Sequence, residues 1–210
     1  MKLPPDVLTV MTSVVVRKLV RRLAHHGPFL SGVGASGNPG AVQTASDKSR
    51  IALLWDAVSA GQFAAAEAGA KSLGLQVSSL ELRQPPYDFE AAFRRLAEAS
   101  PDLLVVLSSP HFTPSRTQIA ELAIRNRWPT MFIFRTYVDA GGLMSYGVSY
   151  PAIHRQAARL AAKILRGTAP SELPIEQPTT FELVINLKTA KALDLTVPSV
   201  ILSRADDVIE

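Results

Sequence analysis

Seven side chains in this 210-residue sequence have the types and neighbours needed to recognise a small charged or ring-bearing molecule. Ser108 and Ser109 supply hydroxyls, and His111 adds an imidazole two residues further on. Arg135 carries a donor fork that matches a carboxylate, while Tyr137, Tyr146 and Trp55 offer ring faces for stacking a planar group. Each has an ordinary alternative. An arginine at a strand end pairs with surface acids as readily as with a ligand, and Ser-Ser-Pro at 108–110 also suits a helix cap. The rings can equally be core, Tyr146 above all because it sits inside an apolar run. No reaction chemistry emerges from the spacing. A histidine two residues from a serine is not a triad, and the sequence lacks G-x-S-x-G, a P-loop and H-E-x-x-H. The expectation is a binding protein, not an enzyme, with no cofactor and no metal.

The elements that must position these groups are legible around them. LLVVL at 103–107 and MFIF at 131–134 are too short and too rich in Val, Ile and Phe for helices, so both are read as buried parallel strands. Between them Ile119, Leu122 and Ala123 recur at helical spacing, giving a right-handed strand, helix, strand crossover. Its loops open on one edge, beyond the carboxyl ends of the strands, where open α/β sheets bind their ligands. The same texture starts at Arg50. RIALLW (50–55) reads as a strand, followed by a helix with Phe63, Ala66, Ala70 and Leu73 that ends at Gly74. LQVSSLEL (75–82) is the next strand. Asp88 is the expected N-cap of a helix with Phe89, Ala92, Phe93, Leu96 and Ala97 on one face. LMSYG (143–147) is a short strand, and Pro151 opens a helix with Ile153, Ala157, Leu160, Ala161 and Ile164 on one face, closed by Gly167. Gly141 and Gly142 let the backbone turn ahead of that strand. Five alternations of strand and helix predict an α/β fold, a doubly wound Rossmann-like parallel sheet over 50–167.

The flanks differ in kind. Residues 168–210 begin with a proline-rich extended connection, then give FELVIN as a strand, LKTAKALDL as a short helix and a last amphipathic piece. Residues 1–49 hold DVLTVMTSVVV and RKLVRRL, in which Leu8, Met11, Val15 and Leu19 fit one stripe of a basic amphipathic helix, a strand with a short helix fitting as well. Charges that follow the apolar stretch are the reverse of an export signal, so no export signal is expected in this chain. SGVGASGNPGAVQTASDK (31–48) has the composition of a mobile linker, and its G-x-G-x-x-G at Gly32, Gly34 and Gly37 runs into Asn-Pro-Gly, which would stop the helix a dinucleotide site needs.

Composition narrows the classes further. There is no cysteine, which removes disulfides, thiolate chemistry and Cys-based metal sites. Residues 1–50 hold seven Lys or Arg against two Asp, whereas residues 51–210 hold fifteen Lys or Arg against sixteen Asp or Glu. The basic balance thus belongs to the first segment, and the main lobe gives no electrostatic case for nucleic acid.

The stretches RIALLWDAVSA, DFEAAFRRLAE, LLVVLSSPHF, IAELAIRNRWPTMFIFRTYVDAGGLMSYG, AAKILRGTAPSELPIEQPTTFELVINLKTAKALDLTVP and ILSRADDVIE carry a family resemblance. Over about residues 50 to 210 the chain resembles the ABC transporter substrate-binding proteins of the tryptophan and tyrosine uptake group, with DAGGLMSYG and FELVINLKTAKAL the most specific pieces. The resemblance implies one lobe of a type I periplasmic-binding-protein fold, the second, with a truncated first lobe in residues 1–49. It implies a small solute such as an aromatic or other amino acid, an ABC permease as partner and a periplasmic location. Two other readings stay open: a ligand-sensing lobe of a transcription regulator, and a non-binding fragment that self-associates as a homodimer.

Overall fold

The apolar runs of the sequence line up as the strands of one seven-stranded sheet. The computed structural model describes residues 50–178 and 180–210, so the expectations placed on residues 1–49, the linker at 31–48 included, lie outside the described residues. In chain order the regular elements are β1 (Arg50–Asp56), α1 (Ala60–Ser72), β2 (Gln76–Leu82), α2 (Phe89–Ala97), β3 (Leu103–Val106), α3 (Arg116–Arg125), β4 (Thr130–Phe132), α4 (Arg135–Asp139), β5 (Met144–Val148), α5 (Tyr150–Leu165), β6 (Phe181–Asn186), α6 (Leu187–Ala192), α7 (Ser199–Leu202) and β7 (Asp207–Ile209). The sheet order is β2-β1-β3-β4-β5-β6-β7. The first five strands are mutually parallel, as expected for 50–167. β6 runs antiparallel to β5 and β7 parallel to β6, so the chain returns from α5 into the same sheet.

Alternation along the strands sorts the core into two layers. Ile51, Leu53, Leu103, Val105 and Met131 face α1, α6 and α7, while Ala52, Leu54, Leu104, Val106 and Phe132 face α2, α3 and α4. Every residue of β3 is buried, as a parallel strand covered on both faces requires. Asp88 caps α2 as read from the sequence, its carboxylate accepting from the Ala91 amide at 2.9 Å. The turn before β5 depends on Gly141, whose φ of +106° is a conformation that side chains disfavour.

Three local expectations are corrected. MFIF contributes only Met131 and Phe132 to β4, and Arg135 and Tyr137 lie in the helix α4 instead of a loop. The last amphipathic piece divides into α7 and β7, because Val208 pairs with Ile185 and extends the sheet by one edge strand. Finally, α5 has the expected apolar stripe, yet none of its residues is buried.

Candidate functional site

The loops beyond the carboxyl ends of β1, β2 and β3 are tied together by one buried carboxylate. Asp56, the last residue of β1, is 1% exposed. Its Oδ2 accepts from the Ser109 hydroxyl at 2.5 Å and from the Tyr87 hydroxyl at 3.1 Å. Its Oδ1 accepts from the Ser59 amide at 3.2 Å, with the Ser59 hydroxyl at 3.1 Å. A buried carboxylate is tolerated when its lone pairs are filled by donors, and here they are filled. The loop after β3 is held further by the Gln62 side chain, whose Oε1 accepts from the Ser108 amide at 3.0 Å. Its first turn closes on Ser109 Oγ, which accepts from the His111 amide at 3.1 Å. Thr113 then links this loop to α4. Its hydroxyl donates to the Ser109 carbonyl at 3.3 Å and lies 3.5 Å from the Tyr137 hydroxyl.

Rings surround this frame in two groups. Tyr87 stands edge-on to Phe89, His111 and Phe112, with centroids 6.1, 6.1 and 5.5 Å away. At the ends of β4 and β5, Phe134, Tyr150 and His154 form a stacked column, with centroid separations of 4.5 and 6.2 Å. Tyr150 is 40% exposed and His154 is exposed, so the outer faces of the column are open to solvent. Burial pushes the Tyr150 and Tyr137 hydroxyls above their ordinary value, and for Tyr87 burial and the Asp56 charge act in the same direction.

The seven residues singled out by sequence are not one cluster. Ser108, Ser109 and His111 sit together at the centre of the edge, where Ser108 is half-buried, His111 exposed and Ser109 buried against Asp56. Neither serine caps α3, whose N-cap is Ser115. Tyr137 is 3% exposed, stacked on Phe132 at 4.8 Å. Arg135 pairs with Asp207 at 2.5 Å and Asp139 at 3.4 Å, which raises its pKa through the Asp207 hydrogen bond first and joins α4 to β7. Trp55 stacks on Phe63 at 4.3 Å, and Tyr146 lies against Phe181 at 6.1 Å. β1 and β5 are three strands apart, about 14 Å, so Trp55 and Tyr146 do not hold one ring between them. Trp55 and Tyr87 also line a surface concavity of about 650 Å³ at the outer rim, beside β2, together with Glu81, Arg83 and Arg95.

Asp56, Ser59, Tyr87, Phe134 and Tyr150 were not singled out in the sequence. Asp56 had a signal, since a carboxylate closing an apolar strand, with a serine three residues on, is a capping pattern at the carboxyl edge of the sheet. Tyr150 had the same positional signal, directly ahead of Pro151 at a strand-to-helix turn.

A parallel sheet with helices on both faces, an antiparallel return strand and a polar, ring-bearing carboxyl edge is the build of one lobe of a type I periplasmic-binding-protein fold. The chain belongs to the ABC transporter substrate binding protein family, whose family model matches residues 2–209. A curated relative, the tyrosine-binding protein of Clostridioides difficile, is 28% identical over 94 residues, covering 45% of this chain and 27% of its own. Among solved structures, a conserved domain protein of Vibrio cholerae superimposes with a TM-score of 0.68 at 23% identity, covering 76% of this chain and 54% of that one. An ABC domain in complex with L-Trp from Streptococcus pneumonia gives 0.67 at 22% identity, covering 77% and 55%. The chain therefore spans about half the length of these solved structures and about a quarter of the curated relative.

Proposed function

We propose that this chain provides a solute-binding lobe for the substrate-binding component of an ABC importer, taking an amino acid with an aromatic side chain at the carboxyl edge of the sheet. The observation that carries the reading is the braced edge itself. A saturated, buried Asp56 fixes three loops, and beside them the Phe134, Tyr150 and His154 column leaves ring faces open. Fixed loops present ligand groups without an ordering cost at binding, and open ring faces suit a planar side chain. In this reading Ser108 and His111 meet the polar end of the solute, with Tyr150 as a ring platform. Ser109 and Tyr137 act by positioning the loops, and Trp55, Tyr146 and Arg135 extend the site only where a ligand reaches the outer strands. The curated tyrosine-binding relative and the L-Trp complex support an aromatic amino acid, and family membership favours this role over a regulator's sensing lobe. It also brings an ABC permease as the partner and an extracytoplasmic place of work.

Amide-resolved NMR titration with L-tryptophan and L-tyrosine tests the proposal. Shifts concentrated at Ser108, His111, Tyr150 and His154, larger than those given by glycine at equal concentration, are expected. No shift at that edge up to tens of millimolar, or shifts confined to the opposite edge of the sheet, would overturn it.

A further inference from the structure

The chain path diverges between the carboxyl ends of β1 and β3. β1 leads through α1 to β2 on one side and β3 through α3 to β4 on the other, and such a divergence in an open α/β sheet opens a crevice for a ligand. The stretches that border it, residues 57–62 after β1 and 107–115 after β3, contain no Lys, Arg, Asp or Glu, and their one titratable side chain is His111. Asp56 is closed to a ligand, being 1% exposed with donors on both carboxylate oxygens. Arg135 on α4 is engaged by Asp207 and Asp139. A solute carboxylate in this crevice therefore has to be met chiefly by neutral donors.

Two such donors are joined across it. Gln62, in the first turn of α1, is half-buried, and its Oε1 accepts from the Ser108 amide at 3.0 Å. A backbone N–H only donates, so the atom facing it is the side-chain oxygen, and Nε2 keeps both of its hydrogens for another partner. Among the described residues Nε2 of Gln62 and the Ser108 hydroxyl have no hydrogen-bond partner. The buried side-chain nitrogen and oxygen atoms left without a partner there are Trp55 Nε1 and Ser145 Oγ, so the two groups at the crevice touch solvent.

We infer, on the basis of the function proposed above, that Gln62 receives the carboxylate of the solute, its Nε2 hydrogens and the Ser108 hydroxyl donating to the carboxylate oxygens. The Ser108 amide pre-sets the side chain. A free glutamine gives up rotamer freedom when it takes a ligand, and this one has already given it up to the fold. The orientation also sets specificity, because an anchored N–H₂ suits an acceptor such as a carboxylate oxygen and offers nothing to a group that only donates, such as an ammonium. A solute with the same ring and no carboxylate loses this contact and keeps the ring platform at Tyr150.

Gln62→Glu separates the ligand role from simple bracing. The new side chain has the same shape, and one of its oxygens still accepts from the Ser108 amide, but the other stands where Nε2 stood and repels a carboxylate. Amide-resolved NMR on the full 210-residue protein reads both parts, with L-tryptophan and with tryptamine, which has the ring and the ammonium but no carboxylate. In the unaltered protein the Gln62 side-chain N–H₂ signals should shift with L-tryptophan and hardly at all with tryptamine, while both ligands shift Tyr150 and His154. In Gln62→Glu the Ser108 amide should keep its exchange rate, the affinity for L-tryptophan should fall about tenfold, the worth of a hydrogen bond to a charged group, and that for tryptamine should not fall. The near-ultraviolet signal of Trp128, buried in the core, checks that the variant is folded, and the comparison of the two ligands on the unaltered protein stands without it. Unchanged L-tryptophan affinity in the variant, or Gln62 signals that respond equally to both ligands, would overturn the role of Gln62 and leave the proposed function standing. No shift at this edge of the unaltered protein with either ligand would overturn both.

Discussion

At the scale of single residues, Asp56 explains why a short apolar strand can end in a charge without destabilising the lobe. Its carboxylate is removed from water but accepts from Ser59, Tyr87 and Ser109, and hydrogen bonds to a charged group are the stronger kind. Asp56→Ala would strand those donors in a buried site, and we expect a loss of about 3–5 kcal/mol in urea unfolding, with Tyr87→Phe costing about 1.5 kcal/mol because only one bond goes. Ionisation of the tyrosines gives a second test. Burial raises the Tyr137 hydroxyl above its ordinary value of 10.0, so the native state keeps a proton that the unfolded chain releases. That contribution is fully present below about pH 10 and is lost as pH rises through the folded value. The urea midpoint should hold steady to about pH 9 and then fall, and Tyr137→Phe should flatten the fall. Neither role was legible in the sequence. Residue types and neighbours marked Ser109 and Tyr137 as candidates, but which hydroxyl meets which partner depends on contacts 53 and 24 residues apart along the chain.

At the scale of elements, periodicity was informative wherever an element buries two sides or one clear stripe. β1 and β3, covered on both faces, read as unbroken apolar runs, and α2 read from its stripe and its Asp88 cap. Asp88→Ala should therefore cost about 1 kcal/mol, the usual value of a lost N-cap, seen as a lower thermal midpoint. The ends of β4 were less legible, because Ile133 and Phe134 are apolar for reasons other than sheet pairing: Ile133 packs under β5 and Phe134 joins the exposed ring column. That packing fixes a glycine that no turn signal marked. A Cβ on Gly147 would sit 2.0 Å from the Ile133 carbonyl oxygen, closer than atoms approach without moving the backbone. Gly147→Ala should destabilise by about 3 kcal/mol, at the upper end for overpacking, since the obstacle is main chain and cannot rotate away. Denaturant unfolding of the variant, with Gly61→Ala as the unobstructed comparison, checks this. The apolar stripe of α5 shows the limit of pattern reading: periodicity groups Ile153, Ala157, Leu160, Ala161 and Ile164 on one face, but only Ile153 and Leu160 are even half-buried.

At the scale of the whole molecule, the proposed function makes the described residues one wall of a binding cleft, and the superposition spans only about half the length of the solved structures. Closed small-molecule sites bury some 70–90% of the ligand surface, and that enclosure both removes apolar area from water and strengthens each polar contact. A single wall does neither fully. The outer faces of Tyr150 and His154 and the loop at Ser108 and His111 would meet a solute in high dielectric, where an individual charged pair contributes about 1 kcal/mol or less. Arg135 is further restrained, since a ligand carboxylate would have to displace Asp207 and Asp139. Its guanidinium is 40% exposed, so Arg135→Ala should change stability by less than about 1 kcal/mol while loosening the junction of α4 and β7. For the 210-residue chain we expect aromatic amino acids to bind with a dissociation constant in the millimolar range or weaker, about 4 kcal/mol, and with little dependence on Arg135. Calorimetry with a panel of amino acids decides the matter. A micromolar constant for a monomer would overturn the expectation, because it would mean that the edge encloses its ligand far better than one open wall can.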